Sequence, residues 1–270
     1  MKLSRKLIPA FIMLLVSAVL MSTASFAWFS TNTSATVSGV NVKISSATTL
    51  LIKDAQEDAT KYATSKTYAL QNTSMAPLSA ATPADATDVE EADDMAVPTF
   101  FKLTAANGIL PNSTAYTENS TFAAEAEATN YLTETINLRA TGDTLGKLML
   151  KVGVSDAATE INKSLRVMVA VYDPDAKTVT WFRCSPFGGA AIEPIATLKD
   201  DGKVETLGAE EDLDANMVGE NGTELVAAVK AETEYTVSFY AWFEGQDATC
   251  YANNAVGLQA VGITFTFSLA

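Results

Sequence analysis

The strongest constraint on the fold is a strict two-residue alternation in the C-terminal segment AVGITFTFSLA (260–270). Apolar residues occupy the odd positions from Val261 to Leu269, and Gly, Thr and Ser occupy the even positions. Because successive side chains of a β-strand point to opposite faces, this pattern predicts a strand with one buried face. The segment EYTVSFYAWF (234–243) repeats the alternation, whereas SLRVMVAVY (164–172) is apolar on both faces, which predicts a central strand.

Other apolar runs predict further strands, and turn residues separate them. The sequence DPDA (173–176) lies between SLRVMVAVY and KTVTWFR (177–183), which predicts a hairpin, and DDG (200–202) predicts a smaller one. Helical periodicity is weak and predicts only short helices at 54–64 and 155–165. The remaining predicted strands are 36–44, 48–52, 97–103, 131–139 and 146–154.

This succession of strands predicts an all-β fold, namely an antiparallel β-sandwich in one domain, with a jelly roll as the specific topology. Two acidic segments interrupt the strand pattern. Residues 76–96 are rich in Ala, Pro and acids, and residues 200–222 are rich in carboxylates and small residues. Both are predicted to be exposed loops inserted into the sandwich.

Charge and composition exclude several classes of function. The chain has 270 residues and a net charge of −14, which becomes −17 (15 basic, 32 acidic) without residues 1–27. Such an acidic protein repels nucleic acid, so no nucleic-acid partner is expected. The absence of histidine excludes Ser-His-Asp and Cys-His catalysis and the HExxH zinc site. We therefore expect no enzymatic activity, with a carboxylate glycosidase as the remaining enzymatic alternative.

The N-terminus has the features of a secretory signal peptide. Three basic residues precede an apolar run at 7–21 and a small-residue segment. Ser25 and Ala27 fit a signal-peptidase site, so cleavage is predicted between Ala27 and Trp28, leaving residues 28–270 as the mature domain. An uncleaved signal anchor is the alternative, although the run is shorter than the roughly 20 residues of a bilayer span. Either outcome places the domain outside the cytoplasm, touching the membrane only through this segment.

Four side chains are candidates for chemistry, each with a structural alternative. Glu244 and Asp247 follow a strong strand and could form a catalytic carboxylate pair, or Asp247 could cap a turn. Cys184 and Cys250 lie just beyond two strong strands. In an exported protein they could form one disulfide, or they could be two unpaired small residues.

Metal and sugar binding are further candidate properties. Oxygen ligands of the second acidic segment could bind Ca²⁺, although their spacing matches no EF-hand loop and a solvated loop is the simpler interpretation. Tyr240 and Trp242 share a strand face, where they could stack on sugars or pack under a covering segment. No other cofactor is predicted. The candidate calcium ligands are Asp200, Asp201, Glu210, Glu211, Asp212 and Asp214.

The segment STASFAWFSTNTSATVSGVNVKI (22–44) resembles the start of the TasA/camelysin-like proteins, which are exported matrix proteins of Gram-positive bacteria. The shared pattern is an alanine-containing junction, one or two aromatics, a polar link and an alternating strand, here with Val40, Val42 and Ile44. The C-terminal AWFEGQDATCYANNAVG and ITFTFSL resemble the ending of many surface proteins of such bacteria. The middle of the chain carries no resemblance.

The resemblance implies a jelly-roll sandwich that a dedicated signal peptidase processes and that polymerises into fibres. In such fibres the N-terminal strand of one subunit completes the sheet of the next. Here residues 28–44 would provide the donor strand, with Val40, Val42 and Ile44 as its apolar side chains, or the strand would pair within its own sheet. The expected function is a self-assembling structural protein of the cell surface or extracellular matrix. A surface adhesin or glycan-binding module is the alternative.

Overall fold

Two five-stranded sheets form the body of the molecule in the computed structural model. The first sheet contains, in spatial order, Thr223–Val226 (β13), Leu148–Ser155 (β8), Val261–Leu269 (β15), Val37–Ile44 (β1) and Ser65–Tyr68 (β3). The second contains Thr178–Cys184 (β10), Leu165–Asp173 (β9), Glu234–Phe243 (β14), Leu132–Ala140 (β7) and Leu50–Asp54 (β2). The structure describes residues 37–44, 50–58, 60–68, 78–81, 83–103, 122–124, 130–142, 146–155, 160–187, 195–198, 204–207, 214–245, 247, 249–250 and 261–270.

Smaller elements complete the described chain. A three-stranded sheet contains Leu78–Ala81 (β4), Thr99–Leu103 (β5) and Phe122–Ala124 (β6), and a hairpin contains Ile195–Leu198 (β11) and Val204–Leu207 (β12). The helical segments are the 3₁₀ helices Ala92–Asp94, Glu160–Ser164 and Ala215–Val218. Within the described ranges, no helix has the length and apolar character needed to span a membrane.

The core lies between the two large sheets. Phe239 of β14 stacks on Phe265 of β15, with ring centroids 4.5 Å apart. Both rings are fully buried, as are Val237 and Ile263 on the same strands. Burial of one such side chain contributes about 1.5–3 kcal/mol, so the alternating residues supply most of the driving force for stacking. The predicted all-β sandwich is confirmed, whereas the jelly-roll topology stays a prediction.

One strand pairing departs from the predicted antiparallel arrangement. β1 pairs in parallel with β15, with Val42 opposite Phe265, while every other pair of strands in the described residues is antiparallel. β1 also pairs with β3, so it lies inside the first sheet. The N-terminal and C-terminal strands of the domain are therefore neighbours.

The prediction that residues 76–96 form an exposed loop is wrong for Leu78–Ala81, which form β4, whereas none of residues 83–96 is buried. Leu78 and Ala80 of β4 are buried, and Leu78 belongs to the main core. Further on, Ala86 and Val179 exchange two backbone hydrogen bonds of 2.9 Å, and the Tyr172 hydroxyl donates to the Glu90 carbonyl oxygen at 2.8 Å. The segment docks because its small and apolar residues cover the outer face of the second sheet, while its acids face solvent.

The prediction of an exposed loop at 200–222 is also corrected. β12 occupies four of these residues and pairs with β11 as the predicted hairpin, although the turn itself lies outside the described residues. The 3₁₀ helix Ala215–Val218 buries Met217 completely in the core. This buried methionine holds the end of the segment against the sandwich. The acidic composition of the segment did not predict its burial.

The other predicted elements agree in part with the structure. Each predicted strand starts and ends within two residues of an observed one. The predicted helix at 155–165 is reduced to the 3₁₀ helix Glu160–Ser164, and Ser155 belongs to β8. The predicted helix at 54–64 is wrong, because Ala63 returns to exchange two backbone hydrogen bonds with Ile52 at 2.7 and 2.8 Å.

Two glycines provide a matched test of this packing. Gly222 has a φ of +71°, and a Cβ placed there would lie 2.5 Å from the Leu150 carbonyl oxygen. Gly153 has no such conformation, and the nearest atom to an added Cβ would be 3.9 Å away. We expect Gly222→Ala to lower the free energy of unfolding by more than about 2 kcal/mol, because it combines backbone strain with a backbone clash. Urea unfolding monitored by circular dichroism measures the change.

Gly153→Ala is the control for this prediction and should change the free energy of unfolding by less than about 1 kcal/mol. Equal stability of the two variants would contradict the assigned turn between the 3₁₀ helix Ala215–Val218 and β13.

Candidate functional site

The donor-strand candidates lie in β1, between β15 and the edge strand β3 of the first sheet. Val42 is fully buried in the core. Along the backbone, Val40 pairs with Ile263 and Ile44 with Phe267. In this single chain the strand therefore completes its own sheet. The predicted signal peptide, its predicted cleavage site at Ala27 and Trp28, and the polar segment before β1 lie outside the described residues.

A buried arginine brings the other sequence candidates together. Arg166, in β9, has 1% of its side chain exposed, and its Nη2 donates to Asp247 Oδ2 at 2.7 Å. Its Nη1 donates to the carbonyl oxygens of Lys163 and Leu165 and to Ser185 Oγ, at 2.7 to 3.0 Å. A desolvated guanidinium is stable only with a counter-ion and several acceptors, and Arg166 has both.

Glu244 and Asp247 are buried carboxylates that accept hydrogen bonds at this end of β14. Asp247, 4% exposed, accepts the Arg166 ion pair on one oxygen and the Thr249 N–H at 2.8 Å on the other. Glu244 is also buried and accepts the Trp242 indole N–H at 3.1 Å. These contacts match the structural interpretation, in which Asp247 caps a turn. Neither carboxylate lines the cavity described below.

Cys184 and Cys250 are free and buried, so the disulfide considered above is not formed in this structure. Burial raises the pKa of both thiols from 9.0 to about 12. The negative charge of Asp214 adds to the rise at Cys184, whereas a hydrogen bond with Ser164 opposes it at Cys250. Arg166 lies close enough to oppose the rise in both, so the two cysteines border the same buried cluster.

The sequence analysis missed Arg166, although its position contained a signal. An arginine within the apolar run LRVMVAVY must either interrupt the strand or find a buried anion, because an unpaired charge in a core costs several kcal/mol. The partner lies 81 residues away in sequence, so no local spacing identifies it.

The calcium candidates fall mostly outside the described residues. Asp214 is described, and it caps the 3₁₀ helix Ala215–Val218 by accepting the Asn216 N–H at 2.8 Å and the Thr223 hydroxyl at 2.6 Å. No group of three or more Cys, Asp or Glu that could hold a metal ion occurs in the described part of the chain. Asp200, Asp201, Glu210, Glu211 and Asp212 lie outside it.

The candidate sugar-stacking face, which carries Tyr240 and Trp242, is covered by Phe100 of β5. Tyr240 and Trp242 point to the outer face of β14, yet Trp242 is only 2% exposed. Phe100 of β5 meets the Trp242 ring edge to face at 5.6 Å and stacks on Tyr131 at 3.9 Å. Trp181 of β10 stacks on Tyr240 at 6.2 Å. The aromatics are therefore continuous with the main hydrophobic core and do not form a binding surface.

Beside these aromatics, a cavity of about 460 Å³ opens between the second sheet and residues 91–97. Its sheet side is polar and consists of outer-face side chains from β7 and β14. Glu91 and Asp93 line its other side and are exposed, as is Val97. Its volume is within the range of small-molecule sites. The sheet-side residues are Thr135, Asn137, Glu234, Thr236, Ser238 and Tyr240.

Glu234 organises one end of the cavity. It accepts hydrogen bonds from the Tyr62 hydroxyl and the Asn137 side-chain N–H, and Lys53 forms an ion pair with it at 3.4 Å. Burial and the hydrogen bond to Glu234 raise the pKa of the Tyr62 hydroxyl. Because a carboxylate can only accept, Asn137 must present its nitrogen to Glu234. Its Oδ1 is therefore directed elsewhere, and it is buried without a hydrogen-bond partner.

Comparison with known proteins gives no relative: no protein-family model, no curated protein and no solved structure matches the chain.

The buried ion pair leads to a stability prediction. Asp247→Ala removes the counter-ion of Arg166, so we expect the free energy of unfolding to fall by about 3–5 kcal/mol. Glu90→Ala removes the partner of Lys177 in an exposed pair and should cost less than about 1 kcal/mol. Chemical denaturation of both variants measures the difference. If Asp247→Ala were as mild as the control, Arg166 would not depend on this carboxylate.

The raised thiol pKa values lead to a prediction on reactivity. Below pH 9 both thiols should stay protonated and buried, so iodoacetamide should label neither in the folded protein and both in denaturant. In the folded protein both thiol pKa values exceed the usual 9.0, so the folded state favours the protonated thiols. Their contribution to the free energy of unfolding is therefore complete below pH 9 and is lost as the pH rises towards about 12. Mass spectrometry counts the labels. Fast labelling of the native protein would contradict the assigned burial.

Proposed function

We propose that this protein is an exported structural protein of the cell surface or extracellular matrix, and that it assembles into fibres by exchange of β1 between subunits. The observation that carries the proposal is the position of β1. It is the first described strand of the chain, yet it lies inside a sheet and buries Val42 in the core. A strand near a chain end can leave and re-enter a sheet without unthreading the rest of the domain.

Removal of β1 would expose two complementary sheet edges. β15 pairs with β1 on one side and β3 pairs with it on the other, so both would present unpaired backbone groups beside an apolar groove. A second copy of β1 makes the same contacts as the resident strand. Because exchange costs no contact, the balance between closed monomer and chain of subunits depends on the connection and on protein concentration.

The connection limits the geometry of such a fibre. Five residues separate β1 from β2, which belongs to the other sheet. A fully extended stretch of that length spans at most about 20 Å. Successive subunits must therefore lie in direct contact, with the groove of one beside the start of β2 in the next. Head-to-tail pairing of this kind does not close, so it builds a filament.

The charge of the domain opposes this packing. The mature chain carries a net charge of −17 from 15 basic and 32 acidic residues, so neighbouring subunits repel each other. At 0.1 M ionic strength, salt largely screens the repulsion between exposed charges that lie more than about 10 Å apart. Assembly should accordingly be favoured by higher ionic strength.

The alternative of an adhesin or glycan-binding module has no supporting observation among the described residues. It depended on exposed aromatics, and Tyr240 and Trp242 are buried beneath β5 and residues 83–98. We therefore propose the structural role alone.

Deletion of β1 tests the strand-exchange proposal. We compare chain 28–270 with chain 45–270, and we expect filaments only from the first, since the second can accept a strand but cannot donate one. Electron microscopy and sedimentation velocity measure assembly. A synthetic peptide of residues 30–44 should bind chain 45–270 and raise its melting temperature, because it refills the groove.

The control peptide carries Val42→Lys and should not bind, because it would place a charge in the core. Filaments from chain 45–270 would refute the donor-strand role. Absence of filaments from chain 28–270 across the accessible concentrations and salt range, with tight binding of the peptide, would leave β1 as an intramolecular strand and refute fibre assembly.

A further inference from the structure

The cavity beside Asn137 has the chemistry of a site for an organic cation, and this inference is independent of strand exchange. Three carboxylates line it, those of Glu91, Asp93 and Glu234, and no Lys or Arg is among its described lining residues. Acidic residues alone define no site, since an acidic face can simply be solvated. A polar group in the buried wall supplies the second observation.

One acceptor in the buried wall has no hydrogen-bond donor. Asn137 is 6% exposed, and its Nδ2 is committed to Glu234, so its Oδ1 remains as a buried acceptor without a partner. Such an orphan costs about 1–3 kcal/mol, which a donor entering the cavity would recover. Thr135 and Ser238 share a hydrogen bond of 2.9 Å, and no described donor reaches Asn137 Oδ1. A ligand that brings an N–H or O–H group to this oxygen would satisfy it.

The charges around the cavity favour a donor that is positive. Lys53 neutralises Glu234 from the β2 side, and Arg139 pairs with Glu232 at 3.7 Å, but neither cation lines the cavity. No ion pair to Glu91 or Asp93 occurs in the described residues, so their charge at the rim is uncompensated. A primary ammonium offers three donors and a positive charge in one small group.

The remaining lining is apolar and suits a short aliphatic stem. Met95 and Val97 lie on the rim side, and Ala55 and Ala170 lie on opposite flanks of the polar floor. We propose that this cavity binds a primary ammonium group carried on a short aliphatic chain, with Asn137 and Glu234 at the inner end and Asp93 at the rim. Two sources share this chemistry, a free aliphatic diamine and a lysine side chain of a peptide.

The test is a calorimetric titration of the full chain with three probes. Cadaverine represents the free diamine, Nα-acetyl-lysine amide represents the peptide side chain, and 1,5-pentanediol has the same stem as cadaverine without charge. We expect at least one amine to bind with a Kd at or below about 1 mM and the diol to bind at least about tenfold more weakly. The amine that binds more tightly identifies the source.

Neighbouring acids supply matched variants. Asp93 lines the cavity, whereas Asp94 is an exposed neighbour that does not. Asp93→Asn should weaken amine binding by about fivefold or more, and Asp94→Asn by less than about twofold, because exposed charges off the site are screened. Ala96→Trp, at an exposed lining position, should abolish binding by filling the cavity.

A second measurement avoids mutating the buried wall. The side-chain amide resonances of Asn137 should shift on addition of the amine and remain unchanged with the diol. Three outcomes overturn the proposal: no amine binding up to about 10 mM, equal binding of amine and diol, or equal loss of affinity in Asp93→Asn and Asp94→Asn. The last would mean that the amine is attracted only by the net charge of the protein.

Discussion

Burial of β14 on both faces is the constraint on which the layered structure depends. Its inner face packs on β15 through Phe239 and Phe265, which holds the two sheets together. Its outer face carries Tyr240 and Trp242, which cannot be left in water without losing a large part of their burial free energy. A two-layer sandwich would expose them. The third layer, formed by β4 to β6 and residues 83–98, is the structural consequence.

The polar groups of the molecule follow from the same layering. Where a third layer covers a sheet, polar side chains of the outer face become buried and must find partners. Arg166 does so with Asp247 at the end of β14, and Asn137 does so with Glu234 at its start. The first cluster pairs its buried charge internally and does not line the cavity. The second leaves Asn137 Oδ1 without a donor beside a cavity, which is why ligand chemistry is inferred there and not around Arg166.

The proposed assembly and the proposed ligand site lie on different sheets. β1 belongs to the first sheet, whereas the cavity is formed by the outer face of the second. Exchange of β1 leaves the backbone pairing of β7, β9 and β14 unchanged, because these strands pair only within their own sheet. A fibre built by strand exchange would therefore repeat the cavity once in every subunit, available to the surrounding medium.

Local sequence determined the longer strands and which face of each is apolar, but it did not predict β3, β4, β6 and β13. Alternation places the residues of 234–243 and 261–269 on defined faces, because the side-chain period of a strand is two residues wherever the strand lies. Composition could not reveal that the two acidic segments contribute to the core, where Leu78 and Ala80 of the first and Met217 of the second are buried. It overestimated helix at 54–64, where tertiary pairing of Ala63 with Ile52 wins.

Only the tertiary structure decided which distant residues meet. The parallel pairing of β1 with β15 joins the two ends of the domain, and the contacts of Arg166 with Asp247 and of Asn137 with Glu234 cross 81 and 97 residues of sequence. No local period encodes such contacts. They form because burying a charge or a backbone edge is unfavourable until a partner is found, and the folded arrangement of layers determines which partner is within reach.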